Sequence, residues 1–386
     1  MQIINGSCNS HKFNALSRLN TPALPFKDAY MDSRLQQLEH WLRETLSSLL
    51  ETPDLNSLSV AAVSGDASFR RYFRARLDEQ SWIVMDAPPE KENCIPYISI
   101  AHFWYGKGIH VPRILASDLE QGFLLLSDFG DDLLLTCLQR TKKDAETADK
   151  LYRSCIDDLL RIQLSMNEEP RLPLPPYNAK LLNREMTLFS DWLCDRKLRQ
   201  TLSTDVRLLL LSTFQQLAKA ALAQPRVPVH RDYHSRNIMV VNLEAPSLGH
   251  LDFQDAVMGP ITYDLVSLLR DCYIKWPEKQ VNEWVSYYFT QATEQGLLHV
   301  DRAEFQRWFD WMGIQRHLKA AGIFARLSLR DGKHGYLADI PLTVGYIAEV
   351  SARYPELSTF HRWLTGHIQP LLEARLKAPV TRKVKK

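Results

Sequence analysis

The segment from His230 to Asp255 decides the reading: HRDYHSRN at 230–237, IMVV at 238–241, a turn, then HLDFQD at 250–255. IMVV turning to LGHLDF reads as a short β-hairpin. A hairpin brings the chain back beside itself, so Asp252 returns next to Asn237, fifteen residues earlier. Upstream, His230, Asp232 and Asn237 stand in the order H-x-D-x4-N. Three oxygen-bearing side chains, Asp232, Asn237 and Asp252, are thereby expected at one place.

Phosphoryl transfer from ATP requires those residue types together. A carboxylate orients the attacking hydroxyl and accepts its proton, while an oxygen donor and a second carboxylate hold the Mg²⁺ that bridges the phosphates. Magnesium takes few protein ligands, so one Asn and one Asp suffice. The expected roles are Asp232 as catalytic base and Asn237 and Asp252 as metal ligands, with His230 bracing the loop. His230 and His234 also stand i, i+4, a zinc spacing on a helix. The Glu that follows the first His in such sites is absent, and IMVV reads as strand. ITYDLVSLLRD, further on, reads as a buried helix with Asp264 anchoring the catalytic loop.

Working outward, SLSVAAV, FRRYFRARL and SWIVMDAP read as strands separated by short breaks, PYISIAHFWYGKG as a helix, and PRILASD and GFLLLSDF as two more strands. A small antiparallel sheet carrying one helix therefore occupies about 58–128. Beyond it, amphipathic helices are expected near 144–166, 180–195 and 205–223. Ahead of the sheet, Leu35, Leu38, Leu42, Leu46 and Leu49 recur at helical spacing. The expected organisation is a loose extension over 1–30, an N-lobe over 31–128, a helical C-lobe over 129–376 and a basic tail over 377–386. The fold class is α+β and bilobal. SGDAS at 64–68 lies between two strands, where a phosphate-covering turn belongs; Ser64, Gly65, Ser68 and nearby backbone N–H groups are candidates for the phosphate oxygens. With one glycine, a plain hairpin turn is the default reading, and context alone lifts it.

Composition excludes several classes. The 386 residues carry 47 Lys plus Arg against 45 Asp plus Glu, so no concentrated basic charge suggests nucleic acid. No apolar run reaches the roughly 20 residues of a membrane span. Six cysteines are scattered without a CxxC pair, which suits a reducing cytoplasm. Nothing marks an obligate protein partner.

HRDYHSRN with HLDFQDA resembles the signature of the aminoglycoside phosphotransferase and choline kinase superfamily, relatives of the protein kinases. More narrowly, SGDASFRRYFR, MDAPPE, VHRDYHSRNIMV, LDFQDAVMGPITYDLVSLLRDCY and QRHLKAAGIFARL resemble bacterial N-acetylmuramate/N-acetylglucosamine anomeric kinases, over about 31–370. The resemblance implies a protein-kinase-like fold, ATP and Mg²⁺ as cofactors, an amino-sugar substrate phosphorylated at C1, and a sugar phosphate that feeds UDP-sugar formation in peptidoglycan recycling. It also implies a hinge near Leu126 to Asp128 whose backbone meets adenine; an ordinary edge strand and turn is the alternative. Asp128-Phe129-Gly130 spells the kinase metal triplet but precedes HRD, whereas the metal carboxylate must follow it.

One departure stands out. Kinase-like folds place a Lys on the third strand to hold the phosphates, and here that strand reads Trp82-Ile83-Val84-Met85-Asp86. Arg71, or its neighbours Arg70 and Arg74, can supply the cation. The gap also leaves open a nucleotide-binding scaffold without turnover, and a kinase for choline, homoserine or another sugar. For the acceptor, His234, Arg236, Gln254 and Asp255 flank the catalytic residues. Between Gly313 and Tyr336, five cations face one acid, which opposes a polycationic acceptor and favours an anionic one. Arg316 and Lys319 are kept as carboxylate-binding candidates, the rest reading as a solvated helix face. Trp308, Trp311, Phe324 and Tyr336 read as aromatic core before sugar-stacking groups.

Overall fold

The computed structural model describes residues 26–50, 53–63, 69–140, 144–169 and 171–376, with side chains from residue 33 onward. The chain divides into two units, 1–56 and 57–386. In the first, helix α1 spans Phe26–Leu49, beginning within the segment expected to be loose. Leu38, Leu42 and Leu46 are buried, and Arg43 Nη1 donates to the Leu55 carbonyl at 3.0 Å.

The second unit opens with a five-stranded antiparallel sheet: β1 (Ser59–Ala62), β2 (Arg71–Leu77), β3 (Gln80–Asp86), β4 (Ile114–Asp118) and β5 (Phe123–Ser127), in the order β1-β2-β3-β5-β4. In β2, Phe73, Ala75 and Leu77 are buried while Arg74 and Arg76 alternate with them, the period-two pattern of a sheet with one covered face. Helix α2 (Ile95–Gly106) starts with a Pro in its first turn and buries Tyr97, Ile100, Ala101 and Trp104.

The remainder is largely helical. Helices α3 (Leu134–Arg140), α4 (Ala145–Leu164), α5 (Ala179–Leu188) and α6 (Thr204–Leu222) lead to β6 (Arg226–Val229). The hairpin β7 (Ile238–Asn242) and β8 (Ser247–His250) follows, then β9 (Val257–Pro260), which pairs antiparallel with β6. Helices α7 (Tyr263–Leu269), α8 (Glu278–Glu294), α9 (Arg302–Arg330), α10 (Ile340–Ser351), α11 (Ser358–Trp363) and α12 (Gln369–Arg375) complete it. Local signals set several boundaries: Asp144, Asn178, Ser203 and Asp301 each cap a helix by accepting backbone N–H bonds. The 29-residue α9 is buried along most of its length. It passes α5 so closely that a Cβ on Gly322 would lie 2.3 Å from the Leu188 carbonyl carbon. Among the described residues no helix is long and apolar enough to cross a membrane, and the described cysteines are buried free thiols.

Candidate active site

The pairing of β6 with β9 brings two loops together, the one after β6 carrying Asp232 and Asn237 and the one after β8 carrying Asp252. The expected hairpin forms, with Ile238 opposite His250 and Leu251 N donating to the Asn237 carbonyl at 2.9 Å. Asn237 Nδ2 lies 3.1 Å from the Asp232 carbonyl and 3.5 Å from Asp252 Oδ2, so one amide links both loops. Gln254 Nε2 donates to Asp252 Oδ1 at 2.7 Å, which orients that carboxylate. Asp252 has φ 63°, a left-handed conformation that Asp tolerates better than most residues.

The catalytic loop is held from beneath. Asp264, at the start of α7, accepts the His230 N–H at 2.6 Å and the Arg231 N–H at 3.0 Å. Burial lifts its pKa to about 7, the two N–H donors pulling the other way. Arg231 adopts φ 76°; its guanidinium donates to Glu185 at 2.6 Å and to the Asp255 carbonyl at 3.3 Å. Asp271 accepts from both the backbone N–H and the hydroxyl of Ser235. His230 is fully buried, stacks on Trp104 at 5.9 Å, and accepts the Asp232 N–H at Nδ1 over 3.3 Å. Burial drives its pKa down to about 3, so it is neutral and braces the loop.

Around Asp232 the field is positive. Burial alone would raise its pKa, but Lys319, His234 and Arg231 outweigh it and hold the carboxyl below its ordinary value. Lys319 Nζ lies 2.8 Å from Tyr263 Oη and 3.4 Å from Glu185 Oε1. Arg316 is buried one turn earlier, its guanidinium 3.6 Å from the Cys272 thiol. Arg236 lies over the rings of Tyr273 at 4.8 Å and Tyr336 at 5.3 Å, and Tyr336 stacks on Phe324 at 5.5 Å. Of the four aromatics named from sequence, Tyr336 stands beside Arg236, while Phe324, Trp308 and Trp311 are buried core. His234 packs edge-on against Tyr273 at 5.4 Å. Asp255 is exposed and meets Arg231 through its carbonyl.

On the sheet side, Arg71 pairs with the buried Asp86 across the β2–β3 register. Arg74 grips Asp128 at 2.6 Å, Asp131, and the Gly130 carbonyl at 2.7 Å. Asp128 also accepts the Gly130 N–H at 2.9 Å, so its carboxylate is engaged by its own turn. Leu126, expected with Asp128 at a nucleotide hinge, is buried on β5, opposite Ile83. Phe129 sits against Gly249 of β8, where a Cβ would lie 2.3 Å from its ring. Ser64, Gly65 and Ser68 lie outside the described residues. Among the described residues no three His, Cys, Asp or Glu side chains are grouped to hold a metal.

A family model described as "Phosphotransferase enzyme family" matches residues 59–301, more than half of the chain. The chain belongs to the phosphotransferase enzyme family. A protein from Pseudomonas putida named N-acetylmuramate/N-acetylglucosamine kinase is 45% identical over 332 residues, covering 85% of this chain and 94% of that one. A protein of the same name from Neisseria meningitidis is 40% identical over 332 residues, with the same coverage of both chains. Among solved structures, the choline kinase LicA from Streptococcus pneumoniae superposes with a TM-score of 0.56 at 14% identity, covering 81% of this chain and 99% of that one. That likeness is one of fold, the bilobal kinase-like α+β arrangement. The phosphotransferase match includes the sheet and both site loops and stops before Arg316 and Lys319 on α9.

Sequence reasoning missed Glu185, Asp271, Tyr263 and Tyr273. Glu185 had a visible signal: Leu182 and Met186 of α5 and Phe189 just after it form an apolar stripe, and Glu185 lies on it. A carboxylate on a buried stripe calls for a partner. Asp271 sits at the end of the all-buried α7, where nothing in the sequence says which loop its oxygens meet.

Proposed function

We propose that this chain is an ATP-dependent amino-sugar kinase that phosphorylates the C1 hydroxyl of N-acetylmuramate, N-acetylglucosamine or both. The observation that carries it is the meeting of Asp232, Asn237 and Asp252 through one amide, in a chain 45% and 40% identical to two proteins named for that activity. Asp232 would orient the hydroxyl and take its proton. A carboxyl held below its ordinary pKa is ionised at neutral pH and a modest base, which suits an anomeric hydroxyl, more acidic than an ordinary alcohol because the ring oxygen withdraws charge.

Asn237 and Asp252 would hold the divalent metal, and the donor set fits: one carboxylate and one amide are few ligands, as a hard cation carried in on phosphates requires. The bound ion, Mg²⁺ in this proposal, supplies neutralisation of phosphate charge. Gln254 keeps Asp252 turned toward Asn237. Arg236, Arg316, Lys319 and His234 would meet the acceptor, with Arg236 and the α9 cations favouring a carboxylated sugar. In this reading the lobes divide near 128, the enzyme works in the cytoplasm, and it needs neither nucleic acid nor membrane. The product would be a sugar 1-phosphate ready for nucleotidyl transfer.

ATP consumption is measured with N-acetylmuramate, N-acetylglucosamine, choline and homoserine, and the phosphate is located by ³¹P NMR. Amino-sugar-dependent turnover with the phosphate on C1 is expected. Turnover only with choline or homoserine, or none with any acceptor while nucleotide still binds, refutes the proposal. Asp232→Asn should abolish turnover and leave nucleotide binding in place.

A further inference from the structure

We propose that Arg70, anchored by Glu92, is the cation that meets the nucleotide's phosphate chain in place of the absent strand-three lysine; this rests on the reading of the site as a nucleotide phosphotransferase. Three arginines follow residues 64–68, and the structure distinguishes them. Arg71 is taken by the buried Asp86, and Arg74 by Asp128, Asp131 and the Gly130 carbonyl. Both are cross-links within the sheet lobe.

Arg70 is placed otherwise. Its Nη2 lies 3.1 Å from Glu92 Oε2, with the arginine side chain 9% and the glutamate 14% exposed. The other Glu92 oxygen accepts the Phe69 N–H at 3.2 Å, so one carboxylate fixes both the backbone leaving 64–68 and the guanidinium next to it. Glu92 stands just ahead of α2, whose Tyr97 stacks at 4.8 Å on Phe253, the neighbour of Asp252. Tyr72, which also bonds the guanidinium through its side chain, Glu92 and Asp252 favour the charged form of Arg70 against the cost of burial. A guanidinium held beside Phe69 and within electrostatic reach of the metal-site carboxylate would be placed to meet the phosphates of a metal-bound triphosphate. Kinase-like folds meet those phosphates with a strand lysine paired to a helix glutamate. Here the strand offers Asp86, and the paired acid lies at the start of α2. A fork of guanidinium donors matches phosphate oxygens better than an ammonium does.

The test is calorimetric binding of β,γ-methylene-ATP with Mg²⁺, and of adenosine, to the full chain. Arg70→Met should lose about 10- to 100-fold in affinity for the triphosphate, the range of one or two charged hydrogen bonds. Adenosine, which has no phosphate, should bind unchanged. Arg70→Lys should recover part of the loss, and Arg76→Met, at an exposed position of β2, should bind both ligands like wild type. Circular dichroism confirms that each variant is folded, and Arg70→Gln stands in should Arg70→Met fail to fold. A folded Arg70 variant that keeps the wild-type ratio of triphosphate to adenosine affinity overturns the role of Arg70 alone. Wild-type protein that binds neither ligand overturns the nucleotide site as well.

Discussion

Replacing Glu185 by Gln should be among the most damaging single-charge changes in this protein. The carboxylate is 6% exposed and lies 2.6 Å from Arg231 Nη2 and 3.4 Å from Lys319 Nζ. It also accepts from Tyr177 Oη, and from Gln315 Nε2 at 3.3 Å. Glutamine keeps the volume and removes the charge, leaving two buried cations facing an amide. Breaking a buried pair from one side costs about 3–5 kcal/mol, because the remaining charge has no water to return to. At about 2 °C per kcal/mol for a unit of this size, the unfolding midpoint should fall by roughly 6–10 °C. Glu349→Gln is the reference: its pair with Lys275 is about half exposed, and its loss should cost under about 1 kcal/mol. In the double variant Glu185→Gln/Lys319→Met one stranded cation is gone, so about 1–2 kcal/mol should return. Thermal unfolding followed by near-ultraviolet circular dichroism measures all three. A midpoint for Glu185→Gln within 2 °C of wild type, or no recovery in the double variant, would show that this carboxylate is not what holds the two cations.

Gly322→Ala puts a methyl 2.3 Å from the Leu188 carbonyl carbon and 2.5 Å from its oxygen, so α5 and α9 must part; a loss of about 1–3 kcal/mol in urea unfolding is expected, whereas Gly345→Ala, with nothing within 4 Å, should stabilise α10. His317 is buried with its pKa pushed down to about 3 by desolvation, so between pH 6.5 and 3 the unfolded chain binds a proton that the folded one refuses. Stability from this group is therefore full above pH 6.5 and falls on acidification; His317→Gln should flatten the acid limb by about 1.4 kcal/mol per pH unit. Stripping divalent metal with EDTA should stop turnover but leave the nucleotide-free unfolding midpoint unchanged, since the described residues contain no grouped metal ligands; a drop in that midpoint would reveal a structural ion.

What could be read from sequence was whatever is local. The strands of the sheet and the hairpin that returns Asp252 to Asn237 follow from short-range patterns, and the structure has each. What could not be read was the choice among equivalent groups. Arg70, Arg71 and Arg74 are the same residue type within five positions, and alternation puts Arg70 and Arg74 on one face. Only the cross-strand partner Asp86 and the distant acids Glu92 and Asp128 tell them apart. Likewise Lys319, kept from sequence as a carboxylate-binding candidate, shows its partner Glu185 only once α9 is found buried against α5, which takes the packing of residues more than a hundred positions apart. Partner choice across such separations leaves no periodic trace.

The order His-x-Asp gains a physical meaning from the way the loop is held. His230 is buried between Trp104, Tyr233 and Phe253, so the chain must enter the loop pointing inward. Asp232 is half-buried at the site, so the chain must turn between them, and it does so at one residue, Arg231, with φ 76°. A bulky residue in that region costs on the order of 1–3 kcal/mol. Two backbone N–H bonds to Asp264 and the guanidinium bond to Glu185 offset the strain. These bonds use the N–H groups of His230 and Arg231 and the Arg231 guanidinium, so the loop is fixed without occupying the side-chain oxygens of Asp232, Asn237 or Asp252. The middle residue of the motif is then not a spacer: its backbone makes the turn and its side chain fastens the turn to α5, which is why a long basic residue answers there better than the glycine its φ angle would suggest.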